Sequence, residues 1–351
     1  MGHLSKVAIT GGAGFIGSHA ADYFSRDDGQ VVICDNFSRS RNLRTSGGGN
    51  PSYNWAYLQK RHPRMLLQEI DVRDFPLLES AVRGTDLIIH TAGQVAVTTS
   101  LKDPRNDFEV NVLGTLNVLE AARKNDAAVL FCSTNKVYGD NVNKIPLKTD
   151  RTRYSFDKSS TGQGVDELLS IDHTGHSPYG SSKLAADIYV QDYAHTYGLR
   201  TGVFRMSCIY GERQFGVEDQ GWLAWFVIAT VTGRPITIYG DGKQVRDVLY
   251  VRDLIEAFDL FLQSNLRHGV FNIGGGPENT LSLLELIELL QKTIGRRPQV
   301  SFGEWRASDQ KVYISDIRKA RQILGWKPTV DPQEGLKRVV NWVRENKALF
   351  A

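Results

Sequence analysis

A hydroxyl, an amide and an ammonium side chain follow one another in the stretch STNKVYGD, residues 133–140. Thr134 closes the apolar run AVLFCST, and Asn135 and Lys136 come directly after it, with no carboxylate before Asp140. A threonine at the end of a buried strand can hydrogen bond to a substrate oxygen and orient it. Thr134 is therefore the first candidate catalytic residue, and it requires a base that acts on the same oxygen.

Tyr179 and Lys183 are the candidate base and its activator. They lie four residues apart in HSPYGSSKLAADIYVQDYAHTYG (176–198). Ser177 as N-cap and Pro178 in the first turn predict that this stretch is a helix. Residues four apart on a helix share one face. A free tyrosine titrates near 10, so only about 0.1% of it is ionised at neutral pH. A cation about 4 Å away at an effective dielectric of about 20 contributes roughly 4 kcal/mol, or about three pKa units. Lys183 and a positive nicotinamide are thus predicted to bring the pKa of Tyr179 close to neutrality.

A tyrosine poised in this way can remove a hydroxyl proton while a hydride leaves for a nicotinamide cofactor. By itself a tyrosine–lysine pair is more often an ordinary surface pair. The pair indicates catalysis only in combination with Thr134 and a cofactor-binding motif elsewhere in the chain.

A glycine-rich loop supplies that motif. Gly11, Gly14 and Gly17 in TGGAGFIGSHAADYF (10–24) follow a predicted strand and open a predicted helix. Glycines allow a tight turn and let a pyrophosphate approach the amides of the helix N-terminus. This context favours dinucleotide binding over a structural turn.

Asp35 selects among dinucleotides. It lies 18 residues after Gly17, at the end of the second predicted strand, where a carboxylate accepts hydrogen bonds from a ribose diol and repels a 2′-phosphate. NAD is the predicted cofactor, although Arg39 and Arg41 leave NADP open. Further cofactor contacts are predicted at Phe15, Ile16, Asn36, Ser38, Arg39, Asp71, Val72, Ala92, Gly93, Gln94, Asn111 and Ser133, in addition to Tyr179 and Lys183.

Alternating strands and helices position these residues. The runs KVAIT, VVICD, MLLQEID, LIIHTAG and AVLFCST are predicted strands separated by helical patterns, which predicts a Rossmann-type, doubly wound parallel α/β sheet. Its carboxyl-end loops would meet at one rim. We expect a dinucleotide-binding domain over 1–208, rejoined by 247–273, and a smaller α/β substrate-binding lobe over 209–351.

Composition excludes other classes of protein. The net charge is +3 in 351 residues, so no nucleic-acid footprint is indicated. The apolar run WLAWFVIATV (222–231) is about half of what a membrane span needs. The three cysteines match no metal spacing and are predicted to be core thiols, which favours a cytoplasmic protein without a metal.

Taken together, these motifs resemble the extended short-chain dehydrogenase/reductases of the nucleotide-sugar epimerase/dehydratase type, over essentially the whole chain. The resemblance implies NAD, a catalytic set of Thr134, Tyr179 and Lys183, and a homodimer formed through helices 107–124 and 177–197. Dehydratases of this family carry Asp-Glu directly after the threonine, and the related decarboxylases favour a glutamate there. This chain has Asn135 and Lys136, which leaves epimerisation as the expected reaction.

Within the family, the stretches TAGQVAVTTS, STNKVYGD, HSPYGSSK, RQFGVEDQGW and GKQVRDVL resemble the CDP-paratose (CDP-tyvelose) 2-epimerases. This branch implies oxidation at C2 of a CDP-hexose and hydride return to the other face. A 4-epimerase or dehydrogenase acting on another nucleotide sugar, and a non-catalytic cofactor sensor, remain alternatives.

The same resemblance implies the substrate contacts. Arginines at 246 and 306 would hold the diphosphate, and Asp309 would meet the ribose. Trp222 has the alternative of a hydrophobic anchor, and Lys136 that of a structural ion pair. The implied set is Gln94, Asn135, Lys136, Gln214, Gln220, Trp222, Thr237, Ile238, Tyr239, Arg246, Arg306 and Asp309.

Two features depart from the pattern or leave it open. Many relatives have an asparagine where this chain has Cys208, which puts one diphosphate contact in doubt. The insertion 155–175 either covers the sugar with Asp166 or Glu167 pointing inward, or is simply solvated.

Overall fold

The computed structural model describes residues 4–26, 29–39, 53–157, 163–306 and 309–350. Its centre is a sheet of seven parallel strands in the order β12-β8-β5-β4-β1-β2-β3. Its strands are β1 Lys6–Thr10, β2 Gln30–Asp35, β3 Leu66–Glu69, β4 Leu87–His90, β5 Ala128–Thr134, β8 Thr201–Met206 and β12 His268–Ile273. The predicted doubly wound parallel sheet is confirmed.

Helices cover both faces of this sheet, because successive residues of its strands point to opposite sides. Along β1, Val7 and Ile9 face one apolar core and Ala8 faces the other. The helices between and after these strands are α1 Phe15–Phe24, α2 Tyr53–Arg61, α3 Phe75–Ala81, α4 Val97–Lys102, α5 Pro104–Phe108, α6 Gly114–Asn125 and α7 Ser177–Tyr197.

The remaining strands form smaller sheets. A hairpin pairs β6 Leu147–Thr149 with β7 Tyr154–Phe156. Beyond β8, β11 Val245–Tyr250 pairs with β9 Cys208–Tyr210, β13 Thr280–Ser282 and β15 Val312–Tyr313, while β10 Ile236–Tyr239 pairs with β14 Val300–Gly303. The later helices are α8 Trp222–Thr232, α9 Val251–Gln263, α10 Leu283–Ile294, α11 Arg318–Leu324 and α12 Pro332–Glu345.

Local chemistry sets several element ends. The third strand ends at Glu69, two residues before the predicted end at Asp71, because the Asp71 carboxylate instead accepts the Arg73 amide at 2.9 Å and forms a turn. Helix α7 begins at Ser177, and its N-cap is His176, one residue before the predicted N-cap and without a side-chain capping bond; the Ser177 hydroxyl accepts the Gly180 amide at 3.3 Å.

The fold brings two loops to one crevice. β1 and β4 are neighbours in the sheet, yet their connections run to opposite edges, so the loops that follow them open a cleft between them. The glycine loop follows β1, and residues 92–94 follow β4. Thr134 ends the next strand, β5, which pairs with β4.

Candidate active site

Thr134, Tyr179 and Lys183 come together at the carboxyl end of β5. Thr134 ends that strand, and the tyrosine and lysine lie in the first two turns of α7, which packs against it. All three side chains are buried. The side chains of Thr134 and Tyr179 are hydrogen bonded to each other. The geometry therefore joins the predicted base to the predicted orienting hydroxyl.

Burial dominates the acidity of Tyr179. It raises the pKa of the phenol to about 12, opposed by the hydrogen bond with Thr134 and reinforced by Asp107 and Cys132. Lys183 is not among the described groups that act on this pKa. For the chain by itself, loss of water around the phenolate sets this high pKa, and the prediction that Lys183 together with a positive nicotinamide brings the pKa of Tyr179 close to neutrality stays a prediction for the cofactor-bound site.

Lys183 is held beside an aromatic ring. Its Nζ lies 4.1 Å from the centroid of Phe131, in cation–π contact. Burial lowers the pKa of this amine to about 8, and the negative charges of Asp187 and Asp107 act in the opposite direction. The ammonium form therefore still predominates at neutral pH, with a pKa close to the physiological range.

A buried polar cluster supports the site from below. The Asn111 carboxamide exchanges hydrogen bonds with the backbone of Gln94, at 2.9 and 3.0 Å, and donates to Ser182 Oγ at 3.0 Å. The Gln94 side chain donates to Ala96 O at 3.0 Å and to Asp107 at 2.6 Å. Gln94 is thus fastened within its own loop. Sequence reasoning missed Asp107 and Ser182, although the position of Asp107 one helical turn before Asn111 is a signal that could have found it.

The glycine loop fits a dinucleotide pyrophosphate. A Cβ on Gly11 would lie 2.6 Å from Ala92 N, and one on Gly17 would lie 2.3 Å from Gly11 O. Gly14 caps α1 without a side chain, and the first turn of α1 carries no acidic residue. The amides of Phe15, Ile16 and Gly17, which open this helix, therefore face an anion-binding position free of competing carboxylates.

The acidic end of β2 fits an adenosine. Asp35 accepts the amides of Ala13 and Phe37 at 2.9 and 2.8 Å, which ties the end of β2 to the glycine loop. Asn36 donates to Asp71 at 2.8 Å, and the fork of Arg73 holds the pKa of that carboxyl at about 2.

Other predicted cofactor residues vary in accessibility. The Ser133 hydroxyl donates to the buried Asp187 at 2.6 Å, so it serves the packing of α7 on β5. Val72 packs against Gly114, and Gly93 lies beside the Asn111 carboxamide. Ser38 and Arg39 are exposed at the end of the described segment, and Arg41 lies outside the described residues.

Cationic side chains meet on the second side of the cleft. Arg246 donates to Asp309 at 2.7 Å, and both are largely buried. Lys136 lies near this pair: burial and the charge of Arg246 lower its pKa to about 8, while Asp309 acts in the opposite direction. The backbone amide of Lys136 and the carboxamide of Asn135 both contact Thr134 Oγ, each at 3.3 Å. Asn135, predicted as a substrate contact, is also a direct partner of Thr134.

A second arginine lies over an aromatic ring. The Arg306 guanidinium carbon is 4.0 Å from the Tyr239 centroid, and Arg306 also pairs with Asp219 at 3.0 Å. Tyr239 and Thr237 alternate with Ile238 along β10, and the Ile238 side chain is fully buried in the apolar core. The strand turns the Ile238 side chain inward, so only the backbone of Ile238 can lie beside a base, and the placement of Thr237 to Tyr239 there stays a prediction.

The segment before α8 holds polar groups without partners. The carboxamide oxygens of Gln214 and Gln220 are buried and accept no hydrogen bond from the described residues. The Trp222 indole nitrogen contacts Cys208 Sγ at 3.3 Å, and its ring packs edge-on against Phe226. Trp222 thus combines contact with the cleft residue Cys208 and anchoring of α8.

The insertion is tied to the edge of the main sheet. Val165 pairs with Ser315, and the amide of Asn272 in β12 donates to Glu167 at 2.7 Å. Asp166 accepts the Leu168 amide at 3.1 Å. The two open alternatives were a cover over the sugar and a solvated segment. In the described part, the Asp166 side chain bonds within the insertion and the Glu167 side chain bonds to β12.

Two classes of site are missing from the part of the chain that the structure describes. None of its helices has the length and apolar character to pass through a bilayer. Its histidine, cysteine and carboxylate side chains form no group suited to a metal ion.

Comparison with known proteins places the chain. Residues 7–274 match the NAD dependent epimerase/dehydratase family. The chain is 39% identical to the CDP-paratose 2-epimerase of Salmonella typhi, over 96% of this chain and 98% of that protein. Its fold is similar to UDP-glucose 4-epimerase of Thermotoga maritima solved with UDP-glucose (TM-score 0.80, 29% identity, 97% and 99% coverage). It is also similar to UDP-glucose 4-epimerase of Thermus thermophilus in complex with NAD (TM-score 0.77, 29% identity, 97% and 99% coverage). The chain belongs to the NAD dependent epimerase/dehydratase family, and its cofactor is NAD.

Proposed function

We propose that this protein is a nucleotide-sugar 2-epimerase that acts on a CDP-hexose. The observation that carries the proposal is the buried Thr134–Tyr179 hydrogen bond beside Lys183, at the rim where the glycine loop also opens. The 39% identity to a CDP-paratose 2-epimerase, over nearly the full length of both chains, supports C2 and cytidine. Asn135 and Lys136 after Thr134 supply no carboxyl group for elimination, which favours epimerisation over dehydration.

The residues divide the work as follows. Tyr179 removes the proton from the sugar hydroxyl, and Thr134 holds the same oxygen through its hydroxyl. The glycine loop and Asp35 would hold NAD, which would supply the hydride chemistry that oxidises C2 and reduces it again from the opposite face. Lys183 supplies positive charge that stabilises the phenolate once the site is assembled.

The diphosphate is the fixed part of the substrate in this proposal. Arg246, Arg306 and Lys136 would hold it, since guanidinium and ammonium groups bind phosphate strongly. The sugar needs fewer contacts, because it has to turn over between the two hydride transfers. The unpartnered oxygens of Gln214 and Gln220 are suited to accept hydrogen bonds from its hydroxyls.

A panel of nucleotide sugars tests the proposal. The purified protein with NAD is incubated with CDP-, UDP- and GDP-hexoses in deuterated water, and NMR follows C2 and C4. The expected result is a C2 epimer of a CDP-hexose without deuterium at C2 and without net formation of NADH. Deuterium at C2 would overturn the hydride route, because it requires removal of a carbon-bound proton.

A 4-epimerase is the second candidate, favoured by the likeness of the fold to UDP-glucose 4-epimerases. Inversion at C4 of a UDP-hexose in the same panel would establish it. Accumulation of NADH in step with the substrate would instead establish a dehydrogenase. Binding of NAD without turnover of any sugar would favour a cofactor sensor.

We also propose a homodimer. Five large apolar or aromatic side chains of α5, α7 and the π-helical segment Glu109–Leu113 are exposed: Phe108, Leu113, Ile188, Tyr189 and Tyr197. Sedimentation velocity is expected to give a dimer, and Ile188→Asp to give a monomer, while Leu77→Asp on α3 leaves the dimer intact. A monomeric parent protein would contradict this proposal. The three free thiols, Cys34, Cys132 and Cys208, support a reducing, cytoplasmic location.

A further inference from the structure

A buried carboxylate lies beneath the catalytic pair without being part of it. Asp107, at the end of the short helix α5, has no exposed surface. Its Oδ1 accepts the Gln94 side-chain amide at 2.6 Å and the Asn111 carboxamide at 3.3 Å, and its Oδ2 accepts the Ser182 hydroxyl at 2.5 Å. These donors are neutral groups, so none of them cancels the charge that burial makes costly.

The donors of Asp107 come from the elements that build the site. Gln94 belongs to the loop after β4, on the cofactor side of the cleft. Its carboxamide is fixed because its nitrogen also donates to Ala96 O and its oxygen accepts the Ala96 amide. Ser182 precedes Lys183 on α7, and its hydroxyl also lies 3.1 Å from the backbone oxygen of Tyr179. One carboxylate thus joins the β4 loop to the first turn of the catalytic helix.

The charge of Asp107 reaches both catalytic side chains. It raises the pKa of Lys183 against the effect of burial, and it raises the pKa of Tyr179. For the lysine the effect favours the ammonium form, in the same direction as Cys132 and Asp187. For the tyrosine it is a penalty, which the Thr134 hydrogen bond opposes.

We propose that Asp107 is a positioning residue, whose buried negative charge serves as the remote counter-charge of the Lys183 ammonium and locks the β4 loop to the catalytic helix. This inference rests on the proposed function for its role in turnover. Its electrostatic part concerns the chain alone. Asp107 touches neither the reacting oxygen nor the cofactor position in this arrangement, so it acts through Lys183, Gln94 and Ser182.

Asp107→Asn isolates the charge. An asparagine can still accept from Gln94 through its oxygen and donate to Ser182 Oγ through its amide, so most of the cluster survives. Lys183 is also faced by His90 from β4, Cys132 from β5 and Asp187 from α7, and these groups stay in place. Asp103→Asn is the matched control, because Asp103 caps the same helix from an exposed position and asparagine caps equally well.

The first readout is the ionisation of Lys183, followed by ¹³C NMR of lysine side chains with the signal assigned through Lys183→Arg. We expect Asp107→Asn to move the Lys183 midpoint down by about one unit, the change typical of one nearby charge. The alkaline limb of kcat/KM is expected to move down with it, while Asp103→Asn changes neither. An unmoved Lys183 midpoint, or lower thermal stability with an unchanged pH profile, would overturn the proposal.

A measurement on the unaltered protein keeps the test decisive if Asp107→Asn does not fold. The ¹³C shift of the Asp107 carboxyl carbon reports its charge at pH 7, and a protonated carboxyl would overturn the proposal. The proposed function can fail separately: absence of epimerisation in the unaltered protein removes the role in turnover, while the lysine titration still decides the electrostatic role.

Discussion

The hydroxyl of Tyr179 and the side chain of Thr134 are hydrogen bonded at the carboxyl end of β5. Thr134 Oγ in turn lies 3.3 Å from the carboxamide oxygen of Asn135 and can donate to it. The hydrogen bond from Thr134 lowers the pKa of the phenol, as a donor to the phenolate oxygen does, so the single hydroxyl proton of Thr134 has two acceptors, the Tyr179 oxygen and the Asn135 carboxamide oxygen. An amide at position 135 orients the threonine but supplies no proton at neutral pH.

Replacing Tyr179 by phenylalanine should abolish turnover and leave the cofactor site intact. The Tyr179 oxygen is the proposed proton acceptor of the reaction. The glycine loop and Asp35, which would hold the cofactor, lie on other elements. We expect kcat to fall by at least about 10³-fold, the upper part of the range for a lost general base, with NAD affinity changed less than threefold by calorimetry. Tyr197→Phe, at the exposed end of the same helix, is the control. Lost NAD binding in Tyr179→Phe would contradict this division of roles.

The pH profile should report Lys183. Burial lowers the pKa of its amine to about 8, so the ammonium charge is present below that pH and is lost as the pH rises through it. We expect kcat/KM to decline above about pH 8. In Lys183→Arg the decline should vanish, because arginine keeps its charge, although the maximum rate should fall through altered geometry.

The exposed substitution Lys292→Arg serves as the control for this profile and should leave the decline in place. If the decline persisted unchanged in Lys183→Arg, another group would be responsible for it.

Arg246 should govern substrate binding and not chemistry. Removing its guanidinium in Arg246→Met deletes charge-assisted hydrogen bonds to the diphosphate, each worth about 1.5–3 kcal/mol, so KM should rise roughly 10- to 100-fold. We expect kcat to change less than about threefold in steady-state assays. Arg338→Met, which removes an arginine paired with Glu334 on α12, should leave KM unchanged. A fall in kcat at constant KM would place Arg246 at the reacting centre.

Two buried histidines should make the fold sensitive to acid. Burial lowers the pKa of both His90 and His19 from 6.5 to about 3. Because the unfolded chain binds more protons between these values, stability is complete above about pH 6.5 and is lost as the pH falls toward 3. Each residue should lower the free energy of unfolding by about 2 kcal/mol between pH 7.5 and pH 5.

Urea unfolding at both pH values measures this loss. His90→Gln should reduce the difference by about 2 kcal/mol, the share of one histidine. His195→Gln on the exposed side of α7 should not reduce it. Equal pH dependence in His90→Gln and the unaltered protein would show that His90 does not titrate in this way.

Local patterns were sufficient to predict the elements that carry the chemistry. β1 and β5 have the predicted bounds, since the apolar run of β1 is followed by glycines and that of β5 by polar residues. Tyr179 and Lys183 share a face because a helical spacing of four residues is a local property. The doubly wound sheet followed from the alternation of strands and helices.

The electrostatics could not be predicted in the same way. The pKa of Tyr179 depends on burial and on Asp107, which reaches α7 from a helix about 70 residues earlier in the chain. The side chain of Ile238 points into the core because of the register of β10, which the motif around it does not reveal. Long-range packing decided both cases.

The insertion before α7 affects any attempt to exchange parts between relatives. Val165 and Glu167 reach across to Ser315 and to Asn272 in β12, so residues from before helix α7 and residues from the last quarter of the chain hold one another. A chimera joined near residue 208 would separate these partners unless both came from the same parent. The boundary that looks natural along the chain is thus a poor crossover point for directed recombination.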